Sequence, residues 1–284
     1  MTDTERADAD LRRRHERAGE IVRAAAVTAL GHFRARDALA IESKGLQDWV
    51  SEADRGVERE IRAALLADFP DDGIVGEEGG RTAGESGFTW VIDPIDGTTN
   101  FLAGDPAWCV VLAGLAGDTT VIAHVVAPVV GDRFAARRGH GATLDGRAIA
   151  VSTSASLVEG SLGVGHSTRV SAASTVMLLD TLLDAGGLFR RSGSGALDLA
   201  GVAAGRLLGY CEPHMNAWDC LASLLLIEEA GGRVQPFEMR TMLAQGGRVV
   251  AAAPGVHDDV VALCDRAFGP SDAAAVGTRG GGQV

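Results

Sequence analysis

The 284-residue sequence contains no run of 18 or more apolar residues, so a hydropathic membrane span is not expected. Its four cysteines, Cys109, Cys211, Cys220 and Cys264, form no C-x-x-C pair. That spacing offers neither a zinc knuckle nor a thioredoxin-like centre. Seven histidines are scattered and none form H-E-x-x-H, which argues against a histidine-based metal site. An apolar core segment is missing from the densely charged first twenty residues, so no signal peptide is expected there. A cytoplasmic protein with reduced cysteines is the resulting expectation. Basic residues are in deficit, with 26 against 38 acidic ones and a formal net charge of −12. Neither nucleic acid nor an anionic membrane is therefore an expected partner. The same acidity disfavours an anionic substrate, unless something inverts the sign locally.

What is present reads as a globular α/β chain, long enough for one large domain or two modest ones. Apolar residues at helical spacing run from about Asp10 to Leu30, with Gly31 as the expected stop. A second helix is expected over Glu52–Asp68 behind an N-capping Ser51. Trp90-Val91-Ile92 reads as a buried strand ending at Asp93. The segments 108–115 and 120–127 read as a β-hairpin. The second half alternates strands over 161–164, 207–212 and 249–253 with helices over 174–185, 196–204, 218–230 and 257–268. The expected boundary lies near 152, giving halves 1–152 and 153–268. A small, polar tail, 269–284, is expected to be disordered.

The chemistry concentrates in Trp90-Val-Ile-Asp93-Pro94-Ile95-Asp96-Gly97-Thr98-Thr99-Asn100-Phe101. Two carboxylates three residues apart follow a buried strand. Pro94 stiffens the turn and Gly97 permits close backbone approach. Such acids repel each other and are stable as anions only with cations between them. Hard divalent ions with oxygen ligands fit, Mg²⁺ being the commonest. A solvated surface turn is the plainer alternative, but the strand before and the Asp-Gly-Thr-Thr after favour a site. An EF-hand loop fails, because Ile95 and Gly104 stand where it needs acids. Glu77 and Glu78 lie in a glycine-rich loop, and Asp219 opens a helix. Taken singly, Asp219 reads as a helix-dipole partner and Asp54 as the acid of a Ser51-x-x-Asp54 capping box.

The segments GEEGG, WVIDPIDGTTNF and WDCLASLLLIEEAGG, in that order, resemble the inositol monophosphatase family of metal-dependent, lithium-sensitive phosphatases. The resemblance spans roughly residues 10–265. It implies a layered αβαβα sandwich with mixed sheets, of the sugar-phosphatase type. By motif it implies Glu77, Asp93, Asp96, Asp219 and the Ile95 carbonyl as ligands of two or three Mg²⁺, with Mn²⁺ an alternative. It further implies Thr98 paired with Asp54 as the catalytic couple, although Ser51 stands where the family usually has threonine. Gly97, Thr98, Arg191, Gly193, Ser194, Gly195 and Glu212 are implied at the substrate, and a homodimer is implied as the assembly.

A phosphate monoester resists hydrolysis because its charge repels nucleophiles. Two metals would neutralise that charge and acidify the attacking water. Thr98, polarised by Asp54, would orient that water. Amides around Gly97 and Thr98 would donate to phosphate oxygens. An anion at Glu212 suits a polyol or an amine, both of which donate hydrogen bonds. Arg190 and Arg191 read equally as substrate contacts or as a solvated strand edge. Lys44 and Asp48 read as a surface ion pair more readily than as a loop approaching the site. Pro213-His214-Met215-Asn216-Ala217 departs from the commoner animal pattern, with His214 expected at the rim. The expected activity is hydrolysis of inositol monophosphate or a related polyol or sugar phosphate. Histidinol phosphate and fructose 1,6-bisphosphate are alternative substrates. The resemblance also allows a different class, an interaction protein that kept the fold, as some bacterial relatives bind transcription machinery.

Overall fold

The computed structural model describes residues 2–36, 41–45 and 48–270. In chain order the elements are α1 (Asp3–Arg34), β1 (Ile41–Gly45), β2 (Asp48–Ser51), α2 (Glu52–Asp68), β3 (Gly73–Gly76), β4 (Gly80–Thr82), β5 (Phe88–Asp96) and α3 (Thr98–Ala103). Then come β6 (Cys109–Ala116), β7 (Thr119–Ala127), β8 (Asp132–Arg137), β9 (Ala142–Leu144), β10 (Arg147–Ala148), β11 (Ser161–Val164), α4 (Ala172–Asp184) and β12 (Leu188–Arg190). The chain continues through α5 (Gly195–Ala203), β13 (Gly209–Met215), α6 (Ala217–Glu229), β14 (Arg233–Val234), α7 (Met239–Gln245), β15 (Gly247–Ala252) and α8 (His257–Phe268).

Two mixed sheets dominate. The first has strand order β10-β9-β8-β7-β6-β5-β3-β4 and is antiparallel except where β3 pairs with β5. The second has order β12-β11-β13-β15-β14, parallel over its first three strands and antiparallel beyond. Strand periodicity sets how the first sheet is used. On β6, Cys109, Val111, Ala113 and Leu115 face one core, and Val110 and Leu112 face another. Both faces are dry, so the strand reads as a continuous apolar run.

The outer face of the first sheet packs on α1 and α2 through Ile21, Val22, Val57 and Ile61. Its inner face packs on α5 and α6, whose other side meets Tyr210, Met215, Val249 and Ala251 of the second sheet. Beyond that sheet lie α4 and α8, holding Leu178, Leu182, Val260 and Leu263. The order of layers is therefore αβαβα, as the resemblance implied.

Several sequence expectations shift. Gly31 does not stop α1, which runs on to Arg34 and seats Phe33 against Phe101 and Trp108 at 5.4 Å between ring centroids. The strand expected at 90–92 extends through Asp96. Short or exposed strands such as β4, β10 and β14 carried too little pattern to be read. Lys44 and Asp48 lie on the paired strands β1 and β2. The expected tail lies outside the described residues from 271 onward.

Candidate functional site

The site begins with an irregularity in β5. Asp93 pairs opposite Val111 and Asp96 opposite Cys109, so the Asp93–Asp96 stretch carries one residue more than its partner. In a regular strand, residues three apart point to opposite faces. The extra residue cancels that alternation and brings both aspartates to one side. Asp219, in the first turn of α6, reaches the same point. One carboxylate oxygen from each of Asp93, Asp96 and Asp219 lies within 4.8 Å of the others.

Each acid is held by its own donors. Asp93 Oδ1 accepts the Ile95 amide at 3.0 Å. Asp96 Oδ2 accepts the Ala196 amide at 2.9 Å and the Ser194 hydroxyl. Asp219 Oδ2 accepts the backbone and side-chain amides of Asn216 at 2.9 and 3.2 Å. These donors orient the carboxylates but do not neutralise them. Burial, together with the neighbouring Glu77, Asp96 and Asp219 charges, pushes Asp93 well above the usual carboxylate range. Burial raises Asp96 to about 6 and, with the Asp96 charge, Asp219 to about 8. Glu77 sits just past β3 and hydrogen-bonds Asp93 through its side chain. A cluster of mutually repelling oxygen donors, Asp93 and Asp96 buried and Glu77 and Asp219 half-buried, is the donor set of a hard divalent cation.

Thr98 opens α3 directly after Gly97. Gly97 has φ 92°, and a Cβ there would lie 2.9 Å from the Ala107 carbonyl oxygen. Only glycine fits that turn. The Thr98 hydroxyl is 3.0 Å from the Ile95 carbonyl and 3.3 Å from Asp54 Oδ1. One proton thus has two acceptors. Asp54 Oδ2 also takes the Ser51 amide at 2.8 Å and the Ser51 hydroxyl at 2.6 Å. The capping role and the contact with Thr98 coexist on the two oxygens of one carboxylate. Asp219 likewise combines two roles, capping the start of α6 and joining the acid cluster.

A cavity of about 440 Å³ opens beside Asp96 and Asp219, between β11, β13 and the loop before α5. Arg191, Gly193, Ser194, Gly195 and Glu212 all line it. Ser194 is buried, with its hydroxyl on Asp96. Gly193 has φ 90°, and a Cβ there would lie 2.8 Å from the Asn100 amide. Glu212 is raised to about 7 by burial, while accepting the Tyr210 hydroxyl at 2.6 Å. Arg190 does not line this cavity. It lies on exposed β12, 3.7 Å from Asp198. His214, half-buried, also lines the cavity.

Three supports escaped the sequence reading. Glu58 on α2 accepts the amides of Glu78 and Gly79 at 2.7 and 2.8 Å, fixing the loop that carries Glu77. Arg62 pairs with Glu58 at 2.6 Å. Asn100 donates to the Ala107 and Ser192 carbonyls at 2.7 and 2.8 Å, tying α3 to the segment that presents Ser194. Glu58 offered a faint signal, since its spacing places it beside the apolar face of α2.

The family model described as the inositol monophosphatase family matches residues 10–266. A protein named Nus factor SuhB from Haemophilus influenzae is 34% identical over 81% of this chain and 87% of its own length. A protein named inositol-1-monophosphatase from Rhizobium meliloti is 41% identical over 68% of this chain and 74% of its own. The solved structure of an IMPase from Thermotoga maritima superposes with a TM-score of 0.77 at 29% identity, covering 93% of this chain and 98% of that one.

Proposed function

Because the chain belongs to the inositol monophosphatase family, we propose that it is a Mg²⁺-dependent hydrolase of a small phosphate monoester, inositol monophosphate or a related polyol or sugar phosphate. The single observation that carries this reading is the convergence of Asp93, Asp96 and Asp219 within 4.8 Å, beside a polar cavity. Glu77, Asp93, Asp96, Asp219 and the Ile95 carbonyl would hold the Mg²⁺ ions. Bound there, the ions supply charge neutralisation and an acidified water.

The chain's own residues do the rest. Thr98 places a hydroxyl beside the acid cluster. With the Ile95 carbonyl engaged elsewhere, its proton turns to Asp54, which leaves the oxygen lone pairs free to orient a water. Ser51 donates twice to Asp54 and so favours the carboxylate form. Amides at Gly97 and Thr98 receive phosphate oxygens. Gly193 and Gly195 keep the cavity wall at backbone height, Ser194 holds Asp96, and Arg191 and Glu212 meet the hydroxylated part of the substrate. The acid cluster becomes the place where a phosphate is welcome, which resolves the conflict between a net charge of −12 and an anionic substrate.

No helix among the described residues is long and apolar enough to cross a membrane. The name Nus factor SuhB on a 34% identical relative keeps a second reading open, an interaction protein on the same fold. Assay of purified protein against a panel of phosphate esters separates the two. Hydrolysis that requires Mg²⁺ supports the enzyme, and inertness toward every ester supports the interaction protein.

A further inference from the structure

Among the residues that line the cavity is one buried tyrosine, and three glycines make room for it. Tyr210 on β13 is 2% exposed. A Cβ on Gly163 of β11 would lie 2.6 Å from Tyr210 Cδ2, and one on Gly195 at the start of α5 would lie 3.3 Å from the Tyr210 hydroxyl. A Cβ on Gly165, just after β11, would overlap both that hydroxyl and Glu212 Oε2. None of the three has the left-handed backbone that favours glycine. Space, not conformation, therefore calls for glycine at each.

What these glycines accommodate is a hydrogen bond. Tyr210 pairs opposite Ala251 and Glu212 opposite Val249 in an unbroken stretch of ladder, so both side chains leave the same face of β13. The Tyr210 hydroxyl donates to Glu212 Oε2 at 2.6 Å. Burial and the Glu212 charge push the phenol well above its ordinary range, so it keeps its proton and remains the donor. Burial works against the Glu212 carboxylate, while Tyr210 and the Arg191 charge favour it. Oε2 is thus occupied and walled in by Gly165. Glu212 is half-buried, and among the described residues Oε1 has no hydrogen-bond partner.

Resting on the phosphatase reading, we propose that Tyr210 is a positioning residue for specificity, which holds Glu212 as a single-oxygen acceptor for one hydroxyl of the substrate's alcohol part. With Oε2 engaged the carboxylate cannot turn, and only Oε1 is presented. An acceptor fixed before binding loses little entropy when the hydroxyl arrives. An ester without hydroxyls leaves that acceptor unmet and is disfavoured. Removing the Tyr210 hydroxyl takes a charge-assisted bond from Glu212, which is then free to turn or to take up a proton.

The test compares myo-inositol 1-phosphate with cyclohexyl phosphate, the same ring without its hydroxyls, in the presence of Mg²⁺. Wild type is expected to favour myo-inositol 1-phosphate in kcat/KM. In Tyr210→Phe this preference falls about fivefold or more, carried by KM with kcat largely kept, as loss of a charge-assisted hydrogen bond requires. Because Tyr210 acts through Glu212, Tyr210→Phe lowers the preference no further in a Glu212→Gln background. A preference unchanged in Tyr210→Phe, or one that falls equally in the Glu212→Gln background, overturns the inference. So does a wild type that hydrolyses both esters without favouring myo-inositol 1-phosphate, which leaves the phosphatase reading standing. If wild type hydrolyses neither, that reading fails instead, and the pair is judged by calorimetry of myo-inositol 1-phosphate binding. A Kd weakened about fivefold in Tyr210→Phe supports it, and an unchanged Kd or no binding by wild type rejects it.

Discussion

At the residue scale, the account rests on buried carboxylates that cannot share a site as bare anions. Asp219, raised to about 8, and Asp96, raised to about 6, bind protons in the folded chain that the unfolded chain has released. Raised folded pKa values mean that metal-free stability falls as pH climbs toward 8. His124, held near 3 by burial beside His15, acts oppositely, costing stability as pH drops below about 6.5. Above pH 6.5 the aspartates dominate. With chelator present, Tm is expected to fall a few degrees per pH unit between 6.5 and 8, and saturating Mg²⁺ to flatten the slope. A chelated Tm that is level or rising over that window contradicts the site's electrostatics. Thr98→Ala is expected to lose about 10²–10⁴ in kcat while melting near wild type, and Thr98→Ser to recover much of it. Wild-type turnover in Thr98→Ala removes Thr98 from the chemistry.

At the scale of elements, a loop is only as precise as its anchor. Glu58 is 2% exposed, and it receives two amides of the turn after Glu77 as well as Arg62. Glu58→Ala leaves these donors unmet, with an expected cost of about 3–5 kcal/mol in stability. Glu58→Gln is milder and is expected to raise the Mg²⁺ concentration for half-maximal activity about 10–100-fold, with kcat at saturating Mg²⁺ largely kept. An unchanged Mg²⁺ requirement refutes this role. This is also where sequence reasoning ran short. The motif from Trp90 to Phe101 announced its acids because strand, proline and glycine all act locally. The bulge that turns Asp93 and Asp96 to one side depends on pairing with β6, and the grip of Glu58 on residues 78 and 79 spans about twenty positions. Neither leaves a short-range pattern. Gly31 misled for the same reason, since the packing of Phe33 on Phe101 and Trp108 carries α1 past it.

For the whole molecule, the governing feature is the middle layer. Helices α5 and α6 lie between the sheets, and one continuous core joins Val111 and Val125 of the first sheet to Tyr210 and Val249 of the second. The two halves expected from the sequence therefore share their largest apolar surface, and Asp219 on α6 completes a cluster begun on β5. Separate folding of 1–152 is not expected. Ile227, fully buried on α6, is a direct probe. Ile227→Ala is expected to cost about 2–5 kcal/mol and to shift the unfolding of both sheets together. Two resolved transitions in differential scanning calorimetry exclude a shared core.

The central claim is that converging acids make a metal-dependent phosphatase. Its most direct test is phosphate release by purified wild type and Asp93→Asn across a panel of small phosphate esters, with Mg²⁺ and with chelator. The account predicts turnover by wild type only with Mg²⁺, and loss of most of it in a folded Asp93→Asn. Equal turnover with chelator, equal turnover in Asp93→Asn, or none on any ester by folded wild type contradicts it.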